Sequence, residues 1–161
     1  MADIPVDGKT RVYWVPTISN LAAPTVAELN AGLNLTYRIT RDGLMGFEPT
    51  TAKVDLASLG DTFDIVSAGT DSFGDTGLRL KRQTPVAGDT VYTTLVKGAT
   101  GYIAIRRDVD RDTAWTAAQL CEVYPVTCGR RKRLAPEQNT VTRYEVPTMV
   151  SSEPQLDAVV A

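Results

Sequence analysis

The sequence predicts a mainly β protein, a β-sandwich or barrel with one or two short helices at its flank. Three observations predict this class. Apolar and polar residues alternate in eight short runs, glycines and prolines separate most of these runs, and only two segments have helical spacing. With 161 residues, of which 43% are apolar and 22% charged, the chain is long enough to bury a core as one ordinary domain.

The first predicted strand spans residues 10–17 and ends at Pro16, whose nitrogen cannot donate a ladder hydrogen bond. Residues 33–40 alternate most regularly, so we predict a half-buried strand with Leu33, Leu35, Tyr37 and Ile39 on one face. The other predicted strands share this period of two and span residues 51–56, 62–67, 77–82, 101–107, 119–126 and 139–149.

Two segments predict helices instead. In residues 24–32, Thr25 and Glu28 have the spacing of a capping box, and Gly32 stands where a helix commonly ends. In residues 89–98, Asp89 is a candidate N-cap, and Val91 and Leu95 are four apart, on one helical face. Both helices are short, so we expect them at the flank or the ends of a sheet.

Other segments are predicted to project from the domain, which we place at residues 9–150. Residues 41–50, between two predicted strands, form one projection and contain the large apolar residues Leu44, Met45 and Phe47, which must dock on something if they are exposed. Residues 68–75 form a second projection around Phe73. The terminal segments 1–8 and 151–161 have too few apolar residues to fold alone, and we predict that they are arms.

Composition excludes several classes of function. The chain has no histidine, which excludes Ser-His-Asp and Cys-His catalytic pairs and most zinc sites. A formal net charge of −2 argues against a freestanding reader of duplex DNA. Neither a signal peptide nor a run long enough to span a membrane is present, so we expect cytosolic synthesis and no membrane partner.

Two clusters of charge and the two cysteines have more than one interpretation. Asp108, Asp110 and Asp112 have the alternate spacing of a calcium loop but lack its glycine and its final glutamate, which favours a polar turn. The basic turn consists of Arg130, Arg131, Lys132 and Arg133, and is either a solvated loop or a contact with an acidic patch of another subunit. Cys121 and Cys128 would face opposite sides of one strand, which favours small buried residues over a disulfide. We expect no cofactor and no metal.

Five segments, taken in order, resemble the major tail tube proteins of long-tailed bacteriophages, in particular those that infect actinobacteria. No single segment is diagnostic, because these proteins diverge widely, so the resemblance rests on the ordered set across most of the chain. The segments are PTVAELNAGLNLT at 24–36, RDGLMGFEPTTAKVDLASLGDTFD at 41–64, DTGLRLKRQ at 75–83, DTVYTTLVKGATGYIAIRRD at 89–108 and VPTMVSSEP at 146–154.

The resemblance implies a β-sandwich flanked by a helix, six copies of which form a ring, with rings stacking helically into a tube through which DNA passes. It implies that residues 41–61 stack the rings, with Leu44, Met45, Phe47 and Glu48 as contact residues, and that the terminal arms pack on neighbouring subunits. The implied partners are further copies of the chain and the tape measure, tail terminator and distal tail proteins of the virion, assembled in the host cytoplasm.

The charge of the lumen follows from the same implication. A basic wall would hold DNA, whereas a neutral or acidic wall lets it slide, and six copies at −2 each carry −12. Asp61, Asp64 and Glu122 are candidate lining residues. Two alternatives remain open, a monomeric β-sandwich module that binds a small ligand or carbohydrate and a tube protein of a contractile injection system. An enzyme that uses the aspartates is disfavoured, because no histidine assists them.

Overall fold

The computed structural model describes residues 1–161 and confirms a mainly β protein with two short helices. It has eleven strands, two α-helices of five residues and a 3-10 turn at Val86–Gly88. The strands are β1 (Arg11–Val15), β2 (Leu33–Asn34), β3 (Ile39–Met45), β4 (Pro49–Asp55), β5 (Val66–Phe73), β6 (Thr76–Lys81), β7 (Thr100–Arg106), β8 (Leu120–Cys128), β9 (Lys132–Arg133), β10 (Arg143–Val150) and β11 (Gln155–Val159). The helices are α1 (Val26–Asn30) and α2 (Thr90–Thr94).

Nine strands form one antiparallel sheet, whose two end strands are close neighbours along the chain. The strand order is β2-β1-β7-β8-β10-β6-β3, with β9 beside β10 and β11 beside β8. The terminal strands β2 and β3 are joined by residues 35–38 only, and the Leu35 amide donates to the Val12 carbonyl oxygen at 2.9 Å. The strands β4 and β5 pair only with each other, as a separate two-stranded sheet.

Two hydrophobic cores lie on opposite faces of the central strands. On β1, Val12 and Trp14 point into an inner core of 15 buried residues, and Tyr13 and Val15 point into an outer core of 10. The strands β7 and β8 supply residues to both cores in the same way. These three strands are therefore covered on both faces, which explains their nearly continuous apolar sequence.

Both predicted helices are confirmed, and each covers one core. Thr25 caps α1 in a complete capping box with Glu28, and hydrogen bonds from Thr25 and Ser19 lower the pKa of Glu28 to about 2. Leu29 of α1 is fully buried in the outer core. The side chain of Asp89 caps α2 by accepting from the Tyr92 amide, and Val91 packs in the inner core.

The predicted strand at residues 33–40 is wrong, because the chain turns in its middle. The Asn34 side-chain oxygen accepts from the Thr36 amide at 2.9 Å, and the amides of Arg38 and Ile39 both donate to the Leu35 carbonyl oxygen. Such side-chain bonds from asparagine compete with strand pairing. The turn directs Arg38 inward, where it donates to Asp89 at 2.6 Å with both side chains nearly excluded from solvent.

Other predicted boundaries shift with long-range pairing. The predicted strand 62–67 overlaps β5 by only two residues, and the segment 68–75 is mostly strand rather than a loop. The predicted strand 139–149 begins at Arg143. The segment 151–161 is not a free arm, because β11 pairs with β8 and buries Ala158 and Val160.

The aspartate-rich segment is a polar turn between β7 and β8, as the sequence favours. The buried Arg106 guanidinium organises it by donating to the carbonyl oxygens of Asp110 and Thr113, both at 2.8 Å, and of Ala114 at 3.1 Å. The side chains of the three aspartates and their neighbours do not converge into a group that could hold a metal ion.

Cys121 and Cys128 are both buried and unpaired, Cys121 in the outer core and Cys128 in the inner core. The two thiols thus lie on opposite faces of β8, as the sequence predicts. Burial raises the pKa of each thiol to about 11. No helix of the chain has the length and apolar character needed to cross a membrane.

Candidate assembly surfaces

The most exposed part of the fold is the hairpin formed by β4 and β5, residues 49–73. All seven residues of β4 and six of the eight residues of β5 are exposed to solvent. Seven residues of strand extend about 24 Å. An isolated two-stranded hairpin is at best marginally stable in water, so a second surface that covers it would stabilise it.

Large apolar side chains concentrate near the end of this hairpin, in the loop 56–65 and the strand residues beside it. Leu59 is fully exposed and Phe63 is 78% exposed, which is uncommon for side chains of this size outside contact surfaces. The group also includes Val54, Leu56, Ile65 and Val66. We call these six residues the apolar hairpin end.

The four contact residues that the resemblance implies lie at the other end of the hairpin. Phe47 is only 4% exposed and belongs to the inner core, so the expectation that it is exposed is wrong. Leu44 and Met45 are half-buried in β3, where they pair with Leu78 and Gly77 of β6. Glu48 is exposed just before β4. Whether these four residues take part in stacking stays a prediction.

Aromatic side chains join the hairpin to the domain. The rings of Phe47 and Phe73 both pack edge-on against Tyr124, with ring centroids 5.0 and 5.8 Å away. The single proton of the Tyr124 hydroxyl is shared between the Glu122 carboxylate, at 2.8 Å, and the Phe47 carbonyl oxygen, at 3.2 Å. Burial and this carboxylate raise the pKa of Tyr124, so its hydroxyl stays a donor. The root of the hairpin is therefore firmly held, whereas its end is free.

The three candidate lumen carboxylates do not lie together. Asp61 and Asp64 are exposed in the loop 56–65, whereas Glu122 is on β8 in the main sheet. Glu122 is already paired with Arg107, whose Nε lies 2.9 Å from its carboxylate. Hydrogen bonds from the Ser58 hydroxyl and amide lower the pKa of Asp61, so that carboxylate is ionised at neutral pH.

The basic turn lies against α2 rather than projecting freely. The Arg131 guanidinium sits 3.7 Å from the ring centroid of Tyr92 and donates to the Tyr92 carbonyl oxygen, and Arg82 sits 3.3 Å from the same ring. Arg130 and Arg133 are exposed. Lys132 lies 3.8 Å from Glu145. Sequence reasoning found the turn but missed Tyr92, because the contact joins residues 39 positions apart.

The amino-terminal segment remains exposed, in keeping with a predicted arm. Residues 1–7 are all exposed, among them Met1, Ile4 and Val6. The segment is attached to the domain at Gly8, whose carbonyl oxygen accepts from the Arg111 amide at 2.9 Å.

Comparison with known proteins identifies the family of the chain and a solved structure of similar fold. A family model described as "phage tail tube protein" matches residues 1–161. Among solved structures, a chain of the 6-fold symmetrised cryo-EM structure of the anti-feeding prophage baseplate has a TM-score of 0.59 and 12% sequence identity, with 96% of each chain covered. At this identity the likeness concerns the fold alone. No curated protein sequence matches the chain.

Proposed function

The chain belongs to the phage tail tube protein family and is a structural component of a virion tail, and from this premise we propose that six copies close into a ring and that the rings stack into the tube through which phage DNA passes. In this role the chain performs no catalysis. Its partners are further copies of itself and the tape measure, tail terminator and distal tail proteins, with assembly in the host cytoplasm.

The observation that supports this proposal best is the uncovered hairpin 49–73. Nothing else in the chain packs on the apolar hairpin end, where six large apolar side chains are exposed. Fully burying one such side chain contributes roughly 1.5 to 3 kcal/mol. A ring or stack of identical copies offers each hairpin the same covering surface, so that many modest contacts add up along a tube.

The unpaired strand edges of the hairpin support the proposal of ring closure. The outer edges of β4 and β5 have unpaired amides and carbonyl oxygens, because each strand pairs only with the other. Head-to-tail pairing of such edges closes into a ring when the rotation between copies permits it. With −2 per copy, the ring carries −12 in total, which is compatible with a lumen that does not hold DNA.

Electron microscopy of the purified chain tests the proposal. We expect hexameric rings or tubes in negative stain at high concentration, with matching masses in light scattering. The variant Leu59→Ser/Phe63→Ser should remain folded but lose tubes. The matched control Val86→Ser/Val141→Ser removes two exposed valines outside the hairpin and should assemble like the wild type.

A chain that stays monomeric at every concentration, and also fails to join tubes seeded by the natural initiator, would contradict the proposal. That outcome would favour the alternative of a monomeric module that binds a small ligand or carbohydrate. It would leave the family assignment and the fold untouched, because neither depends on the assembly state.

A tube protein of a contractile injection system is the second candidate. The specific observation in its favour is the fold shared with the anti-feeding prophage baseplate chain. Electron micrographs of intact particles distinguish the two candidates, since a contractile particle shows a sheath around the tube and a long non-contractile tail shows a bare tube.

A further inference from the structure

A small basic cleft lies beside α2 and contains four cations with no acidic partner. The cleft has a volume of about 240 Å³ and is lined by Tyr92, Lys97, Arg130, Arg131, Arg133 and Tyr144. All seven ion pairs within the chain use other cations. We call this feature the arginine cleft. Four positive charges around one cavity repel one another, and a bound anion would offset this repulsion.

The inner surface of the arginine cleft holds an unsatisfied donor. Tyr144 is 2% exposed, and its hydroxyl has no hydrogen-bond partner within the chain. A buried polar group without a partner costs about 1 to 3 kcal/mol. Burial raises the pKa of Tyr144 to about 12, so the hydroxyl keeps its proton. Tyr144 lines the cleft, and its hydroxyl is the donor that an acceptor oxygen would meet on reaching the buried end of this side chain.

The floor of the cleft is rigid. The Tyr92 ring is clamped between the guanidinium groups of Arg82 and Arg131, and it packs edge-on against Tyr144 with a centroid distance of 5.0 Å. Arg130 and Arg133 therefore extend from a fixed platform. A preorganised cluster binds an anion at less entropic cost than free surface arginines do.

The hairpin has the opposite charge. Residues 49–73 contain one lysine and four aspartates, a net charge of −3, and two of the aspartates, Asp61 and Asp64, lie in the loop 56–65 among the apolar hairpin end. Neither pairs with a cation of its own chain. Only one oxygen of the Asp61 carboxylate accepts from Ser58, so the other oxygen is free.

The two features lie at opposite ends of the same pair of strands. The hairpin joins the main sheet at the start of β6, where Thr76 pairs with Thr148 of β10. The arginine cleft lies at the other end, where Leu80 pairs with Tyr144 and Arg133 also pairs with Tyr144. The five steps from Thr76 to Lys81 span about 17 Å. When a binding element and its receptor lie at opposite ends of one copy, identical copies can contact one another head to tail.

We propose that the arginine cleft of one copy receives the acidic loop 56–65 of a second copy, with Asp61 and Asp64 as the anions that enter it. This inference rests on the proposed function and names the receptor surface for the hairpin. The charges provide register and specificity, whereas the apolar hairpin end provides buried area beside them. Asp61 and Asp64 then lie at a contact between copies rather than on the lumen wall.

Charge reversal with rescue tests this pairing, under conditions in which the wild type forms tubes. Arg130→Glu/Arg133→Glu reverses the cleft, Asp61→Lys/Asp64→Lys reverses the loop, and a fourfold variant combines both changes. Lys9→Glu/Lys81→Glu makes the same change in charge on two cations that line no part of the cleft and form no ion pair, and it serves as the control. Arg131 is left unchanged because it clamps Tyr92. The readouts are the critical concentration for tubes, measured by sedimentation, and the melting temperature of each variant.

We expect each twofold reversal to raise the critical concentration at least about tenfold while the melting temperature stays near that of the wild type. The fourfold variant should return toward the wild-type value, and the control should match it. If the wild type forms tubes and the cleft variant has the same critical concentration, the inference is overturned but the proposed function remains intact. Loss of tubes in both twofold variants without recovery in the fourfold variant would also overturn the inference. So would a cleft variant that forms tubes but no longer binds a duplex DNA oligonucleotide, because the anion of the cleft would then be nucleic acid.

Discussion

Replacing Phe47 by alanine should destabilise the monomer, in contrast to the same change at Phe63. The Phe47 side chain is 4% exposed and its ring lies 5.0 Å from that of Tyr124. Burial of a phenylalanine contributes about 1.5 to 3 kcal/mol, the aromatic pair adds about 0.5 to 1.5 kcal/mol, and the cavity that remains brings the total to about 3 to 5 kcal/mol. Phe63 is 78% exposed, so its removal should change the free energy of unfolding by no more than about 0.5 kcal/mol.

Thermal unfolding followed by circular dichroism measures the contrast. For a chain of this length, each kcal/mol shifts the melting temperature by about 2 to 4 °C, which gives a decrease of about 6 to 20 °C for Phe47→Ala. Phe63→Ala should melt within about 2 °C of the wild type. Equal melting temperatures of the two variants would refute the reasoning, because Phe47 would then not be part of the core. Phe47 would instead be a candidate for an exposed docking surface, as the sequence predicts.

Two further predictions concern buried charge and backbone geometry. Burial opposes ionisation of Asp89, but hydrogen bonds from Arg38, Gln83 and Tyr92 outweigh it and lower the pKa of Asp89. The contribution of this carboxylate to stability is therefore present above about pH 4 and is lost as the pH falls through the lowered pKa. Asp89→Asn should cost about 3 to 5 kcal/mol at pH 7, because Arg38 stays buried without its anion, and should flatten the loss of stability in acid, measured by urea unfolding between pH 3 and 7. Gly46 has φ of +76° and its added Cβ would collide with the Asp75 carbonyl, so Gly46→Ala should cost at least about 1 to 2 kcal/mol in the same assay, and an unchanged midpoint would contradict this.

The elements that the sequence predicts well are those whose signals are local. The capping box at Thr25 and Glu28 and the N-cap at Asp89 require only neighbours along the chain, and both are confirmed. The strands β1, β6, β7 and β8 are also found close to their predicted positions, because their alternating or continuous apolar runs match burial on one or two faces.

The errors occur where distant residues decide the structure. The alternation in residues 33–40 is real, but the Asn34 side chain and the buried pair of Arg38 and Asp89 favour a turn over a strand. The sequence predicts an exposed Phe47 in a loop that contains glycines, but the structure packs it against Tyr124, which lies 77 positions away in the chain. Likewise, β11 is a five-residue strand in a segment that the sequence predicts as an arm, and it is ordered by pairing with β8.

The sequence predicts a projecting segment at residues 41–61, but the structure buries Phe47 and exposes other apolar side chains, while the role of the segment in stacking stays a prediction. The segment 41–61 does contain part of the projecting hairpin, but the exposed apolar side chains continue to Val66, beyond the predicted boundary. Nothing in the pattern separates Phe47 from Phe63, because each has a glycine within the three preceding positions and an acidic residue directly after it. Only the fold shows that one faces the core and the other faces solvent.

The double covering of β1, β7 and β8 has a mechanical consequence. Strands packed on both faces form a block that resists bending, whereas the hairpin beyond Phe47 and Phe73 is supported only by the pairing of its own two strands. In the proposed tube the hairpins connect such blocks, and we expect elastic deformation to concentrate in these thin connections when the tube bends. The flexibility of the tube can then change through the length and composition of the connections, without any alteration of the blocks themselves.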